Sequence, residues 1–360
     1  MTNSKKRNLF PGSNTSQGFY SLFNYIISRE DANKIICLKG GPGTGKSSFM
    51  NRVANHFSDL GYSIEYDHCS SDDQSFDAVI INELKVVLID ATPPHVVEPT
   101  NFGVIDEILN LGVGLDTNKL AKYRNEIVTI SKEMKESYAS AYRFFGAAKC
   151  IHEDWSNVNN KALNLNKVSK LIYELKSKIL QNSICDIGKD RHMFSTAFTP
   201  NGIVSYSKEL SSEVDNLYVL KGGPGLNKSD ILKSVGNEAQ NQGLFVEYLH
   251  DPFIPQRIEN IIIPQLSTGI FTTNEISRLS FNGTEYDMSD FCNSAILSKK
   301  SDQIAYDKNE FYTLLNKGLS YIKEAHNIHD KLEAYYIDAM NFDKTNSLYE
   351  ETIKKIEQYM

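Results

Sequence analysis

The chain has little of what marks secreted, membrane-spanning or nucleic-acid-coating proteins. Its five cysteines (37, 69, 150, 185 and 292) are odd in number, scattered, and include no C-x-x-C pair. That usage speaks against a disulfide framework and for reduced thiols in a cytoplasm. No stretch approaches the roughly 18 apolar residues of a membrane span. The basic start, Met1 to Arg7, is not followed by the apolar segment of a secretory signal. A net charge of −7 gives no basis for coating a nucleic acid. What remains is ordinary globular composition, 41% hydrophobic and 23% charged, over 360 residues, a length that suggests about two domains.

Against that background one motif stands out. Gly40-Gly41-Pro42-Gly43-Thr44-Gly45-Lys46-Ser47-Ser48 fits the phosphate-binding loop G-x-x-x-x-G-K-S/T at every defined position. The apolar run Ile35 to Leu38 reads as the strand that feeds it. Lys46 to about Leu60, with Phe49, Val53 and Phe57 on one face, reads as the helix that follows, and Gly61 as its stop. Such a loop turns its backbone N–H groups inward around phosphate oxygens, and the helix N-terminus adds partial positive charge. Lys46 is expected to reach the β- and γ-phosphates of a nucleoside triphosphate. The Ser47 hydroxyl is expected to ligate Mg²⁺. Val86-Val87-Leu88-Ile89-Asp90 reads as a Walker B strand, with Asp90 as the second magnesium partner. Asp90 lies 44 residues beyond Lys46, which leaves room for a helix, a strand over Tyr62 to His68 and a further helical or looped segment. Lys46 and Asp90 are thus the candidate catalytic pair.

The motif recurs. At a constant offset of 182, Lys39, Lys46, Ser47, Gly61, Glu65, Tyr66 and His68 match Lys221, Lys228, Ser229, Gly243, Glu247, Tyr248 and His250. Arg7 and Phe10 match Arg191 and Phe194 at an offset of 184, and Ile151-His152-Glu153 matches Ile328-His329-Asp330 at 177. A period near 180 residues is a domain duplication, since solenoid repeats are far shorter. The expected division is 1–186 and 187–360. The second copy departs from the first at two places, Asn227 for Gly45 and Thr272 for Asp90. It therefore reads as a degenerate site, in which Lys228 and Ser229 still suit a phosphate ligand. Asn227-Lys228-Ser229-Asp230 also spells N-K-x-D, but inside the loop these residues would face phosphate. Guanine is not indicated, and ATP is the expected nucleotide.

Glycine and proline nearly vanish from about Asn118 to Gln181. Ile127, Ile130, Met134 and Tyr138, then Val168, Leu171, Leu175 and Ile179, fall at helical spacing. This reads as a helical hairpin packed on its own core, with an equivalent arm from about Asn309 to Met360; the alternative is that the arms form a lid, a surface for a protein partner or the contact between the halves. The expected fold is α/β. It consists of two tandem P-loop NTPase cores, each a mostly parallel sheet with helices on both faces and a helical-hairpin arm, paired as an intramolecular pseudo-dimer. Secondary candidates are Asp72 and Asp73, Thr92 and His95 near the γ-phosphate, and Arg191 as an arginine finger. The paired histidines, His68 with His250 and His152 with His329, read as structural.

GGPGTGKSS, VVLID, HCSSDDQSFDAVII and ATPPHVVEPTNFGVIDEILNLG together resemble an uncharacterised tandem family of P-loop ATP-binding proteins from Gram-positive bacteria. The resemblance covers essentially the whole chain. It implies ATP and Mg²⁺ at Gly40–Ser47 and Asp90, and it implies no substrate beyond the nucleotide. The function expected is an Mg-dependent ATPase with one competent site in the first half. The rivals are a kinase acting on a small molecule or nucleotide, and a nucleotide-dependent switch with negligible hydrolysis.

Overall fold

The computed structural model describes residues 5–93, 97–180 and 187–360. The expected boundary after residue 186 and His95 both lie outside the described residues. In the first half β1 (Lys6–Leu9), β2 (Gly12–Thr15), β3 (Gly18–Ser21) and β4 (Lys34–Lys39) lead into α1 (Lys46–Asp59). Then come β5 (Ile64–Cys69), β6 (Asp72–Ile81), β7 (Val86–Asp90) and β8 (Asp106–Asn110), followed by α2 (Thr117–Ala121), α3 (Arg124–Ala162) and α4 (Leu165–Ile179). The second half repeats the plan with β9 (Asp190–Met193), β10 (Thr196–Thr199), β11 (Gly202–Ser205), α5 (Ser207–Ser211), β12 (Asn216–Lys221) and α6 (Lys228–Asn241). It closes with β13 (Val246–His250), β14 (Ile258–Ile263), β15 (Thr268–Thr273), β16 (Thr284–Asp287), α7 (Ser294–Lys299), α8 (Ser301–Asp338) and α9 (Asp343–Ile356).

The fold is α/β, with two six-stranded mixed sheets in which most pairings are parallel. The first has the order β1-β5-β6-β7-β4-β8 and the second β9-β13-β14-β15-β12-β16. In each, one strand is antiparallel to both neighbours: β6 in the first and β14 in the second. The segment between Cys69 and Val86, expected to be helical or looped, is therefore a strand. Its apolar end, Ala78 to Ile81, is buried on both faces as a central strand must be. Among the described residues no helix is long and apolar enough to cross a membrane.

The expectation of helices on both faces of each sheet does not hold. Alternate residues of the first sheet, Ile36, Leu38, Val79, Ile81 and Leu88, pack under α1. Their neighbours, Ile35, Cys37, Ala78, Ile80, Val87 and Ile89, share one apolar layer with Val219, Leu249, Ile262 and Phe271 of the second sheet. The two sheets thus share one apolar layer, into which α5 also inserts Leu210, and the longer helices α1 and α6 cover the outer faces.

The arms are exchanged. Helix α4 lays Val168, Leu171, Leu175 and Ile179 over α6 and the second sheet, and α9 brings Ile353 and Ile356 to α1 and the first sheet. Helix α3 runs along α8, so tightly that a Cβ at Gly318 would lie 2.3 Å from the Phe145 ring. The hairpin folded on its own core is thus replaced by a reciprocal embrace. Apolar periodicity reports that a helix face is buried, and either core satisfies it.

The embrace has an approximate two-fold relation. Leu115 bridges Met340, and their equivalents Cys292 and Leu163 bridge each other in turn. The Asp116 N–H donates to the Ala339 carbonyl at 2.8 Å, while the equivalent Asn293 N–H donates to Ala162 at 2.8 Å. Phe10 and Phe194 exchange both backbone hydrogen bonds at 2.9 Å. Each half thus presents the same patch to the other, as in an isologous dimer.

Candidate functional site

The first glycine-rich loop leaves the carboxyl end of β4 beside the end of β7, since Leu38 pairs with Asp90. Gly43 and Gly45 take left-handed backbone, φ +68 and +82, which lets the chain turn into α1. The amides of Gly43, Gly45, Lys46 and Ser47 find no acceptor among the described residues. They form a cradle of donors at the N-terminus of a 14-residue helix. Thr44 is buried and donates to the Gly41 carbonyl at 2.8 Å, which steadies the loop. Ser48 points outward from the first turn of α1.

Three side chains converge on this cradle. The Lys46 ammonium reaches back to the carbonyls of Gly40 and Gly41 at 3.2 and 3.0 Å and lies 3.6 Å from Asp90. Asp90 accepts from the amide and hydroxyl of Thr92 at 2.9 and 2.6 Å, so Thr92 braces the acid. Burial raises the Asp90 carboxyl above its ordinary range, with Lys46 pulling the other way. The Ser47 hydroxyl accepts from the Phe76 amide at 3.1 Å.

A fourth group was not singled out in the sequence. Asp77, on the strand beside β7, is 2% exposed. Burial first, and the nearby Asp90 charge second, push its carboxyl up to about 8. At the same offset of 182 the second half has Glu259, pushed to about 7 by burial and Asp251. An acid at the same repeat position in both halves was the signal available, masked by the change from Asp to Glu.

Other candidates serve the frame. Asp73 accepts from Asn201 of the second half at 3.0 and 3.2 Å, and Asp72 binds the Ser75 hydroxyl at 2.5 Å. Arg191 is no finger: its guanidinium is tied to Glu65 and to the carbonyls of Tyr25 and Ile26. His68 bridges Asn8 and the Asp73 carbonyl at 3.0 and 3.1 Å.

The second loop keeps the geometry of the first. Asn227 holds φ +56, so the left-handed turn survives without glycine, as asparagine tolerates. Lys228 reaches the Gly222 and Gly223 carbonyls, and burial lowers its ammonium below the usual lysine value. Ser229 accepts from the Ile258 amide at 2.8 Å, the equivalent of the Ser47 contact. A cavity of about 280 Å³ opens over this loop.

Each loop is covered by a helix of the opposite arm. A Cβ on Gly41 would meet Tyr336 at 2.8 Å, and one on Gly43 would meet Glu333 and Ile337 at 2.9 Å. Over the second loop, Asn159 donates to the Pro224 carbonyl at 2.9 Å and Asn160 to the Asn227 side chain at 3.1 Å.

Against known protein families, curated proteins and solved structures, no match to this chain is found. The geometry therefore stands alone. It is that of an α/β protein with two glycine-rich loops at sheet ends, each closed over by the other half.

Proposed function

We propose that this protein binds a nucleoside triphosphate, ATP by default, at Gly40–Ser47 and hydrolyses its terminal phosphoanhydride bond. The observation that carries the proposal is the convergence of Lys46, Ser47 and Asp90 on a loop in which the amides of Gly43, Gly45, Lys46 and Ser47 have no acceptor among the described residues. Free N–H donors at a helix N-terminus suit phosphate oxygens, and an acid 3.6 Å from the lysine with a serine hydroxyl nearby suits a hard cation. Ser47 and Asp90 would hold Mg²⁺, which when bound neutralises charge on the β- and γ-phosphates. Lys46 would trade its loop carbonyls for phosphate oxygens and steady the charge that builds as the bond breaks. Burial and the neighbouring Asp90 raise the Asp77 carboxyl, which favours its protonated form and limits repulsion between the two acids.

The test is steady-state ADP release from Mg-ATP. Lys46→Ala and Asp90→Asn should each lower it by about 10²-fold or more. Turnover equal to wild type in both variants would refute the proposal.

A second reading, a nucleotide-dependent switch with slow turnover, is favoured by Glu333, Tyr336 and Ile337 standing over the loop from the other half. Ligand in the loop would then be sensed directly by α8. Hydrogen exchange along α8 that is the same with and without Mg-ATP would argue against it.

A further inference from the structure

The second loop looks impaired in sequence because Thr272 replaces Asp90, but in three dimensions one acid of the pair remains beside that position. Ala78 pairs with Ile89 across β6 and β7, which sets Asp77 opposite Asp90 one residue on. Ile261 pairs with Ile270 across β14 and β15, which sets Glu259 opposite Thr272 two residues on. Glu259 stands on the neighbouring strand with one more methylene of reach than Asp77.

Resting on the reading of the first loop as a polyphosphate site, we propose that Gly222–Ser229 is a second working site. Its ligand is a magnesium-bound polyphosphate of the kind a nucleoside triphosphate carries, and Glu259 supplies the carboxylate that Asp90 supplies in the first site.

Four observations carry this beyond a helix N-terminus. The cavity of about 280 Å³ is lined by Lys228, Ser229, Arg257, Glu259 and Glu275, a mixed set of cations and acids around one space. Glu275 is 9% exposed, and its Oε2 has no hydrogen-bond partner among the described residues, while Oε1 is held by His152 at 2.5 Å. A carboxylate oxygen left open in a cavity that a lysine and a serine also line suits a hard cation that bridges to phosphate. The loop keeps its left-handed turn at Asn227 and its serine contact at Ser229. Finally, Asn227 accepts from Asn160 of α3, so the residue that breaks the motif is part of the closure over the cavity. Thr272 is buried and donates its amide to Asn260 at 2.9 Å.

The chain carries a built-in reporter. Its single tryptophan, Trp155, packs beside the second loop, where a Cβ on Gly223 would lie 3.7 Å from the indole. The experiment is equilibrium binding of Mg-ATP and of magnesium tripolyphosphate to the full chain, reading stoichiometry and tryptophan emission together. Wild type should bind two equivalents of Mg-ATP. Lys46→Ala should keep one, with the emission change intact; Lys228→Ala should lose that change and keep the other equivalent. On the Lys46→Ala background, Glu259→Gln should weaken Mg-ATP at least tenfold and leave ATP in EDTA unaffected. Tripolyphosphate bound as well as ATP assigns recognition to the phosphates, and ATP bound alone assigns part of it to the nucleoside. The proposal is overturned by a single equivalent in wild type that Lys46→Ala abolishes, or by Glu259→Gln acting equally with and without magnesium. If Lys46→Ala changes nothing while Lys228→Ala removes all binding, the first-loop reading fails and the second-site proposal stands. Two equivalents in wild type support the proposal, and with one equivalent the presence or absence of the Trp155 emission change tells which loop is filled, so a variant that fails to fold does not leave the question open.

Discussion

Arg7 of the first half grips Glu247 of the second with both arms of its guanidinium, at 2.7 and 2.5 Å, and Arg191 grips Glu65 in the mirrored sense. These are equivalent residues exchanged across the two-fold relation, with Glu65 and Glu247 nearly buried. Arg7 also reaches Glu65 and Glu213 at 3.3 and 3.1 Å, so removing Glu247 takes away its two-armed partner and leaves the buried network short of one acid. Glu247→Gln should therefore destabilise the protein by about 3 kcal/mol, whereas Arg7→Met with Glu247→Leu together should cost clearly less. Burial raises the Glu247 carboxyl, but Arg7 outweighs it and holds the group below its ordinary value. Its contribution is thus present above the unfolded value near pH ~4.3 and is lost as pH falls through the lower folded value. Urea midpoints of the two variants against wild type check both statements.

His250 gives the opposite residue type with the same direction of pH effect. Burial holds its imidazole down at about 4, with Nδ1 on the Pro255 carbonyl at 2.5 Å and Nε2 on His192 at 2.7 Å. The folded protein keeps it neutral where the unfolded chain takes up a proton. Its share of stability is complete above pH ~6.5 and declines toward pH 4 by up to about 3 kcal/mol. Wild type should lose more stability between pH 7.5 and 4.5 than His250→Gln does. Equal losses in urea titrations would show that His250 does not contribute.

The two loops predict an unusual pattern of glycine tolerance. A Cβ on Gly45 would lie 3.5 Å from Phe342, an ordinary contact, and the equivalent residue in the second half is already asparagine at φ +56. Gly45→Asn should shift stability by less than about 1 kcal/mol. A Cβ on Gly225 would lie 2.0 Å from the Ser156 carbonyl oxygen on α3, at φ +76. Gly225→Ala should cost about 2 kcal/mol or more by forcing backbone apart. Thermal unfolding of the two variants side by side makes the comparison.

Exchange of the arms makes a prediction about place as well as size. Ile356 is fully buried under the first sheet although it lies in the last turns of the chain. Ile356→Ala should cost about 2–4 kcal/mol. Amide exchange should accelerate in α1, around Met50 and Val53, before it does in α6. Loosening that begins in α6 would contradict the exchange.

Much of the loop geometry was legible in the sequence. The loop spacing located Lys46 and Ser47, and the ungapped offset of 182 matched Asp90 with Thr272 before their register against Leu38 and Leu220 bore this out. The strand β6 was missed because its first half, Asp72 to Asp77, is polar and its pairing with β5 shifts register near His68. That irregularity breaks the alternation by which a strand is read. The crossed arms were missed for a different reason. The heptad-like spacing of Val168, Leu171 and Leu175 specifies a buried face, and nothing local distinguishes a core before it in the chain from one after it. Asn227 was read as damage because a motif records residue identity, whereas the turn requires only a residue that accepts positive φ.

The crossing also sets a timetable for synthesis. Leu111, at the end of the first sheet, joins the same core as Ile353 and Ile356, which emerge from the ribosome roughly 240 residues later. At about 5–20 residues per second, the first half waits on the order of 10–50 s without α9 on its outer core. The N-terminal half of this protein is thus made first and finished last.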